Sequence, residues 1–277
     1  LSEAPAEFQN SSLGARILQD VAVAKSFAVD QTGDIARGRY NRLIDELADL
    51  TNQIDTVEID GTTCGLVSVV PFMDEDFRFV RFPFKTWEFP QTNYRAYVTD
   101  RQTGERVVWF FGTALDTPWV AIPHRQWKLP WHRTSIRFYC EYDDDAARYK
   151  RYRMEATGPW GGALLELEDS GEPVGAVPGF DDRETGLVVL THPTKGYYYR
   201  RDGSLGSYSI WHAPLELTEG RVVQSCFDLL DRLKLGPSDD LSRIHSVMIQ
   251  RRTEFTIYLP PTVIGDQCVT LVDRPGT

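Results

Sequence analysis

The chain has 277 residues, of which 42% are hydrophobic, 12% aromatic and 25% charged, with a net charge of -10. This is a globular composition, too apolar and aromatic for a disordered chain, and long enough for one large domain or two small ones with a sizeable core. The acidic balance argues against a nucleic-acid partner, which needs a dense basic face. No apolar run approaches the roughly 18 residues of a membrane helix.

Residues 1–55 are expected to form a helical extension. Leu13, Ile17, Val21 and Ala24 recur at near-helical spacing within 12–27, and Leu43, Ile44, Leu47 and Leu50 form a stripe within 35–54. From residue 56 onward the pattern changes to strands. Residues 63–70 are β-branched, 77–82 nearly alternate, and 94–99 with 106–111 read as a hairpin across turn signals at Asp100 and Gly104. Residues 117–128 are a short helix or loop ended before Leu129-Pro130, because the residue before proline avoids the helical region. Ile136, Phe138, Cys140 and Tyr142 alternate along a strand whose hairpin partner is 147–155. Further strands are expected at 163–167, 187–190, 197–200 and 207–211, with a hairpin turn at Asp202-Gly203. Residues 222–235 read as an amphipathic helix stopped at Gly236-Pro237, and strands follow at 247–249 and 255–259. Many antiparallel strands with few helices argue for an α+β domain over 56–277, with enough strands to curl into a barrel around a pocket.

The four cysteines are far apart in apolar contexts and read as buried free thiols. Free thiols fit a reducing, cytoplasmic setting, which is expected here, and no signal-peptide pattern is visible. No Cys/His spacing suggests zinc, no P-loop, GxSxG or HExxH motif occurs, and no cofactor or metal is called for. The run from Arg148 to Arg153 interleaves basic and aromatic residues, and reads as a solvated strand beside the acidic turn Asp143-Asp144-Asp145.

Chemistry concentrates between Phe89 and Tyr142. On an alternating strand, Asn93, Arg95 and Tyr97 share one face and Tyr94, Ala96 and Val98 the other. If the first face lines a pocket, Arg95 is a buried cation that demands a partner, either a carboxylate or an anionic ligand. Asp116, just past the neighbouring strand, is the candidate protein partner, and Arg125 is a second candidate cation. Two arginines at an aromatic cavity suit a carboxylate or a polarised carbonyl. The plainer alternative is an Arg–Asp brace with a surface arginine.

Several segments carry a resemblance. They are Val69-Val70-Pro71-Phe72-Met73, Pro90-Gln91-Thr92-Asn93-Tyr94-Arg95-Ala96-Tyr97-Val98, Trp109-Phe110-Phe111, Asp116, Arg125 with Leu129-Pro130-Trp131, Gly196-Tyr197-Tyr198-Tyr199-Arg200, and Ile210-Trp211-His212-Ala213-Pro214-Leu215. Over residues 57–260 the chain resembles the uncharacterised YqjF-like family within the acetoacetate decarboxylase-like superfamily. The resemblance implies a bent antiparallel or mixed sheet closing into a cone-shaped β-barrel with a central cavity, flanking helices and possible homo-oligomers. In that superfamily's decarboxylases a lysine in a Pro-Lys-Lys motif forms a Schiff base with a β-keto acid, its amine kept neutral by an apolar pocket and a neighbouring cation. The comparable place here is Pro130-Trp131-His132, and Trp131 has no amine. Gln91 stands where the family pattern implies Glu, and an amide does not exchange protons near neutral pH.

The chain holds 24 arginines and six lysines (Lys25, Lys85, Lys128, Lys150, Lys195 and Lys234). Lys128 and Lys150 are the alternative amines. Three functions therefore stand side by side. The first is a cavity binding a small carbonyl or carboxylate molecule through Gln91, Asn93, Arg95, Arg125 and Trp131 without imine chemistry. The second is a lyase-type enzyme on a keto acid, with Asp116 or His212 moving a proton. The third is a structural subunit with a filled barrel.

Overall fold

In a computed structural model of the chain, the described residues are 14–30, 52–79, 82–101, 103–159, 161–200, 204–233, 235 and 237–264. The strands in chain order begin with β1 (Gly14–Asp30), β2 (Asn52–Ile54), β3 (Thr56–Ile59), β4 (Thr62–Phe79), β5 (Phe82–Asp100), β6 (Arg106–Leu115) and β7 (Trp131–Arg133). They continue with β8 (Ser135–Asp143), β9 (Arg148–Thr157), β10 (Ala163–Pro173), β11 (Lys195–Tyr199), β12 (Leu205–His212), β13 (Thr218–Phe227) and β14 (Ile244–Ile264). Three short helices interrupt them: α1 (Ala121–Gln126), α2 (Arg183–Thr191) and α3 (Asp228–Leu233).

The sheet closes on itself. Hydrogen bonding runs β1–β4–β5–β6–β11–β12–β14, and β14 pairs back with β1, Gly14 opposite Tyr258 and Ala24 opposite Met248. Neighbours in this ring are antiparallel except β6 and β11, which are parallel. From β14 an arm continues through β13, β10, β9 and β8. The fold is thus a mixed sheet curled into a barrel, with helices at its margins.

Strand alternation sorts the side chains into two layers. Val70 and Phe72 of β4, Tyr97 of β5, Phe110 of β6, Tyr198 of β11, Tyr208 of β12 and Met248 and Ile257 of β14 pack together inside the barrel. Val67, Val69, Tyr94, Ala96 and Trp109 face the other way and pack against Tyr152, Leu165 and Phe227 of the arm. Each such large side chain contributes about 1.5–3 kcal/mol on burial. The barrel interior is tight at the β11 end. A Cβ at Gly196 would stand 2.3 Å from the Phe110 ring, and one at Gly206 would stand 2.6 Å from the Tyr198 ring.

Three expectations are corrected. The helix expected over 12–27 is the strand β1, which pairs on both sides, with β4 and β14. Its sequence also alternates through Ile17, Val21, Val23, Phe27 and Val29, so two open edges of a barrel decide between two readable periods. The stripe within 35–54 falls mostly outside the described residues, and Asn52–Ile54 is strand β2. The amphipathic helix expected over 222–235 is strand β13 followed by α3. Val222 opposes Leu167 while Gln224 opposes Glu166, so Val223 is an extra, bulged residue. That bulge spaces the buried Val222, Ser225 and Phe227 unevenly and imitates a helical stripe. The strand expected over 187–190 is part of α2 instead. Asp182 caps it, accepting from Thr185 N at 2.8 Å, and this N-terminal signal outweighs the β-branched pair Val188-Val189.

The strand expected over 77–82 instead spans the end of β4 and the start of β5, with 80 and 81 outside the described residues, and the strands expected at 247–249 and 255–259 are one long strand, β14. The other strands overlap their expected places, as does the short helix before Leu129. The Asp202-Gly203 turn lies outside the described residues. The basic run on β9 is largely neutralised: Lys150 pairs with Asp143, Arg153 with Glu155 and Glu166, and Arg151 lies over the Tyr139 ring. Of the cysteines, Cys64 is buried as expected, but Cys140 and Cys226 are exposed on the arm, and Cys268 lies outside the described residues. No disulfide joins the three described cysteines. No helix among the described residues is long and apolar enough to cross a membrane.

Candidate functional site

The inward face of β5 carries Phe89, Gln91, Asn93, Arg95 and Tyr97 in succession, a row that turns from apolar to polar along the barrel. Beside the polar part lies a cavity of about 80 Å³. A water needs about 10–15 Å³ by the same measure, so the space suits a ligand of a few non-hydrogen atoms. Its walls are Val70 and Phe72 of β4, Gln91, Asn93 and Arg95 of β5, Trp131 of β7, Tyr208, Ile210 and His212 of β12, and residues of β14 and the segments after α2 and β12. No carboxylate and no lysine is among the described residues lining it.

Arg95 is buried, and its partners are neutral. Nε donates to Ser68 Oγ at 2.9 Å and Nη2 to the Leu190 carbonyl at 2.9 Å. The Tyr97 hydroxyl donates to the same carbonyl at 2.9 Å. Leu190 sits in the last turn of α2, where carbonyls lack helical partners and the helix dipole is negative. The cation therefore seats the end of α2 on the barrel. Among the described residues no carboxylate lies within ion-pair distance of Arg95, and Nη1 has no partner. Asn93 Oδ1 accepts from Gln91 Nε2 at 3.0 Å and from Thr113 Oγ1 at 2.8 Å. Those two bonds fix the amide and leave Nδ2 as a donor without a partner among the described residues. The cavity thus offers an uncommitted guanidinium nitrogen and an amide nitrogen, with no anion to satisfy them.

His212 is buried, and its Nδ1 donates to the Ala213 carbonyl at 2.8 Å, since a carbonyl can only accept. Burial pushes its pKa down to about 4, helped by the neighbouring charges of His192 and Arg95 and opposed by the carbonyls of Ala213 and Thr191. The ring is neutral at pH 7. His192, whose pKa burial also lowers, stacks edge-on at 4.5 Å.

Of the sequence candidates, Gln91, Asn93, Arg95, Trp131 and His212 come together at this cavity. Asp116 and Arg125 do not. Asp116 Oδ2 accepts from Ile136 N at 3.0 Å, bracing the entry to β8, so it is not the partner of Arg95. Arg125 is exposed on α1 and lines an outer groove with His124, His132 and Arg133. Of the described lysines, Lys150 pairs with Asp143, Lys195 with Glu105, and Lys85 lies over the Trp87 and Trp119 rings, while Lys128 does not line the cavity. Sequence reasoning missed Ser68, Tyr208 and the Leu190 carbonyl. Tyr208 was within reach, since it shares a strand face with His212.

Asp74 is fully buried on β4, two positions beyond Phe72, and neither oxygen has a hydrogen-bond partner among the described residues. Burial raises its pKa well above the ordinary 3.8, so the protonated form is favoured. It does not line the cavity. Asp74→Asn removes a group whose ionisation in the unfolded chain opposes folding at neutral pH, and is expected to raise unfolding stability there. Urea melts of the two proteins at pH 7 check this, and a loss of stability would mean that the carboxyl has a partner. Cys226, Asp228 and Asp231 also cluster closely. Asp228 accepts from Gly162 N, and Asp231 from Ser238 N and Oγ, so both carboxylates already fasten α3 to its surroundings.

A closed barrel enclosing a small, cationic, otherwise largely apolar chamber defines the class. The chain belongs to the DUF2071 family, uncharacterized conserved proteins (COG2071), whose model matches residues 51–248. No curated protein matches. Among solved structures it is similar to an acetoacetate decarboxylase from Legionella pneumophila, at 11% identity and a TM-score of 0.54 over 91% of this chain and 88% of that one. It is also similar to an acetoacetate decarboxylase-like enzyme from Sphingomonas wittichii, at 10% identity and 0.54 over 95% and 98%. A third is the enduracididine biosynthesis enzyme MppR, complexed with the condensation product of pyruvate and imidazole 4-carboxaldehyde, at 8% identity and 0.55 over 94% and 92%. At these identities the likeness is one of fold.

Proposed function

We propose that the barrel cavity binds a small carboxylate, best a keto acid, and does so without forming a Schiff base. The observation that carries this reading is Arg95, a buried guanidinium with only neutral partners beside a cavity that it lines. Burying a cation is costly unless something compensates, and a ligand carboxylate would complete what one hydroxyl and one carbonyl leave undone. Asn93 Nδ2 would donate to the second oxygen or to the keto group. A second structure of MppR, complexed with pyruvate, supports a keto acid of this size on this fold. Trp131 occupies the cavity wall where the superfamily resemblance implies a lysine. A histidine held near 4 is also far from the range in which a general base works at neutral pH.

Calorimetric titration of the full chain with pyruvate and acetoacetate is expected to give one saturable site. The uncharged esters of the same acids should give none. Borohydride added to the acetoacetate complex should leave the protein mass unchanged. A stoichiometric adduct on Lys128 or Lys150 would restore imine chemistry, and esters binding as well as acids would remove the role of Arg95.

A further inference from the structure

Trp131 separates two chambers. On one side is the cavity with Gln91, Asn93 and Arg95. On the other is an annex of about 60 Å³, walled by Phe77, Trp87, Phe89, Leu115, Trp119 and Trp127 among others. Trp131 is the one side chain among the described residues that lines both. The chambers are consecutive along the same strand faces. Phe89 of the annex stands two residues before Gln91 on β5, and Leu115 of the annex pairs directly with Gln91. Trp131 itself sits opposite Thr113, whose hydroxyl holds Asn93. The indole is buried and held by the parallel pairing of β7 with β6, so the partition belongs to the sheet.

We infer that Trp131 sets the length of the ligand: it confines a carboxylate anchored at Arg95 to a short chain and closes off an aromatic annex that would take an apolar or aromatic tail. The inference rests on the carboxylate reading above. The annex offers no charged side chain, so it suits hydrocarbon and not a second ionic group. Removing the indole would join the two chambers in line with the anchored head group, and a tail would then leave water for an aromatic surface.

The test is a series of straight-chain 2-oxo acids from three to eight carbons, with phenylpyruvate, titrated against the wild type, Trp131→Ala and Trp131→Leu. The leucine variant keeps apolar packing and serves if the alanine variant folds poorly. Wild-type affinity should be greatest at the short end and fall at least tenfold by the longest members. In the variants the optimum should move to longer or aromatic acids, gaining about tenfold for each two methylenes newly buried. Wild type binding no member overturns the carboxylate reading itself. Wild type binding the short acids, with the same chain-length profile in the folded variants, overturns only the role given to Trp131. Wild type preferring the longest acids does so too.

Discussion

Arg95→Met is expected to weaken binding of short keto acids by at least about thirtyfold while changing unfolding stability by no more than about 2 kcal/mol. The two effects separate because different terms govern them. In the free protein Arg95 makes two hydrogen bonds, to Ser68 Oγ and the Leu190 carbonyl. Bonds to a charged group contribute about 1.5–3 kcal/mol each. Against them stands the desolvation of a buried guanidinium, still several kcal/mol after relaxation. These terms nearly offset, and methionine fills most of the same volume. The Leu190 carbonyl also keeps the Tyr97 hydroxyl, so the end of α2 stays capped. Binding has no such offset. A carboxylate brought into the cavity of the variant loses its cation and remains desolvated, a loss of about 2–5 kcal/mol or more for a buried charge pair. Chemical denaturation and calorimetry on one preparation measure both quantities. A destabilisation above about 4 kcal/mol with binding intact would make Arg95 a structural brace for α2 and nothing more.

How much of this was legible in the sequence differs by element. The alternation of β5 placed Asn93, Arg95 and Tyr97 on one inward face, because a period of two follows from strand geometry alone. The partner of Arg95 could not be found the same way. A buried cation points first to a carboxylate, and Asp116 stands nearby in the chain. The real acceptor is a main-chain carbonyl 95 residues away, at the end of a segment whose Val188-Val189 pair reads as strand. Backbone acceptors leave no mark in side-chain chemistry. Likewise β1 became a strand through its two neighbours, and the bulge at Val223 made a strand resemble a helix. Where tertiary pairing chose between two readable periods, local pattern was insufficient. Trp131 is the opposite case. Its identity alone removed the expected amine, but its place as a wall between two chambers came only from the folded barrel.

Two buried groups should pull the stability of this protein in opposite directions as pH changes. His212 has a folded pKa of about 4 against an ordinary 6.5. Between those values the unfolded chain binds a proton that the native state refuses, so stability is lost as pH falls through the window, by roughly 3 kcal/mol in all. Asp74 has a raised folded pKa against an ordinary 3.8. Above 3.8 the native state keeps a proton that the unfolded chain releases, so stability is lost as pH rises. From about pH 4 upward the two slopes oppose each other while Asp74 keeps its proton, which flattens the wild-type profile over that range. His212→Asn, whose Nδ2 can still donate to the Ala213 carbonyl, should remove the acid-side loss and leave stability falling as pH rises across that range. Asp74→Asn should do the reverse, steepening the loss on acidification. His192 and His245, whose pKa values burial also lowers, add to the acid-side loss in both variants and cancel when each is compared with the wild type. Urea unfolding at half-unit steps from pH 4 to 7 reads these slopes. If His212→Asn follows the wild-type profile, His212 is not held neutral by burial.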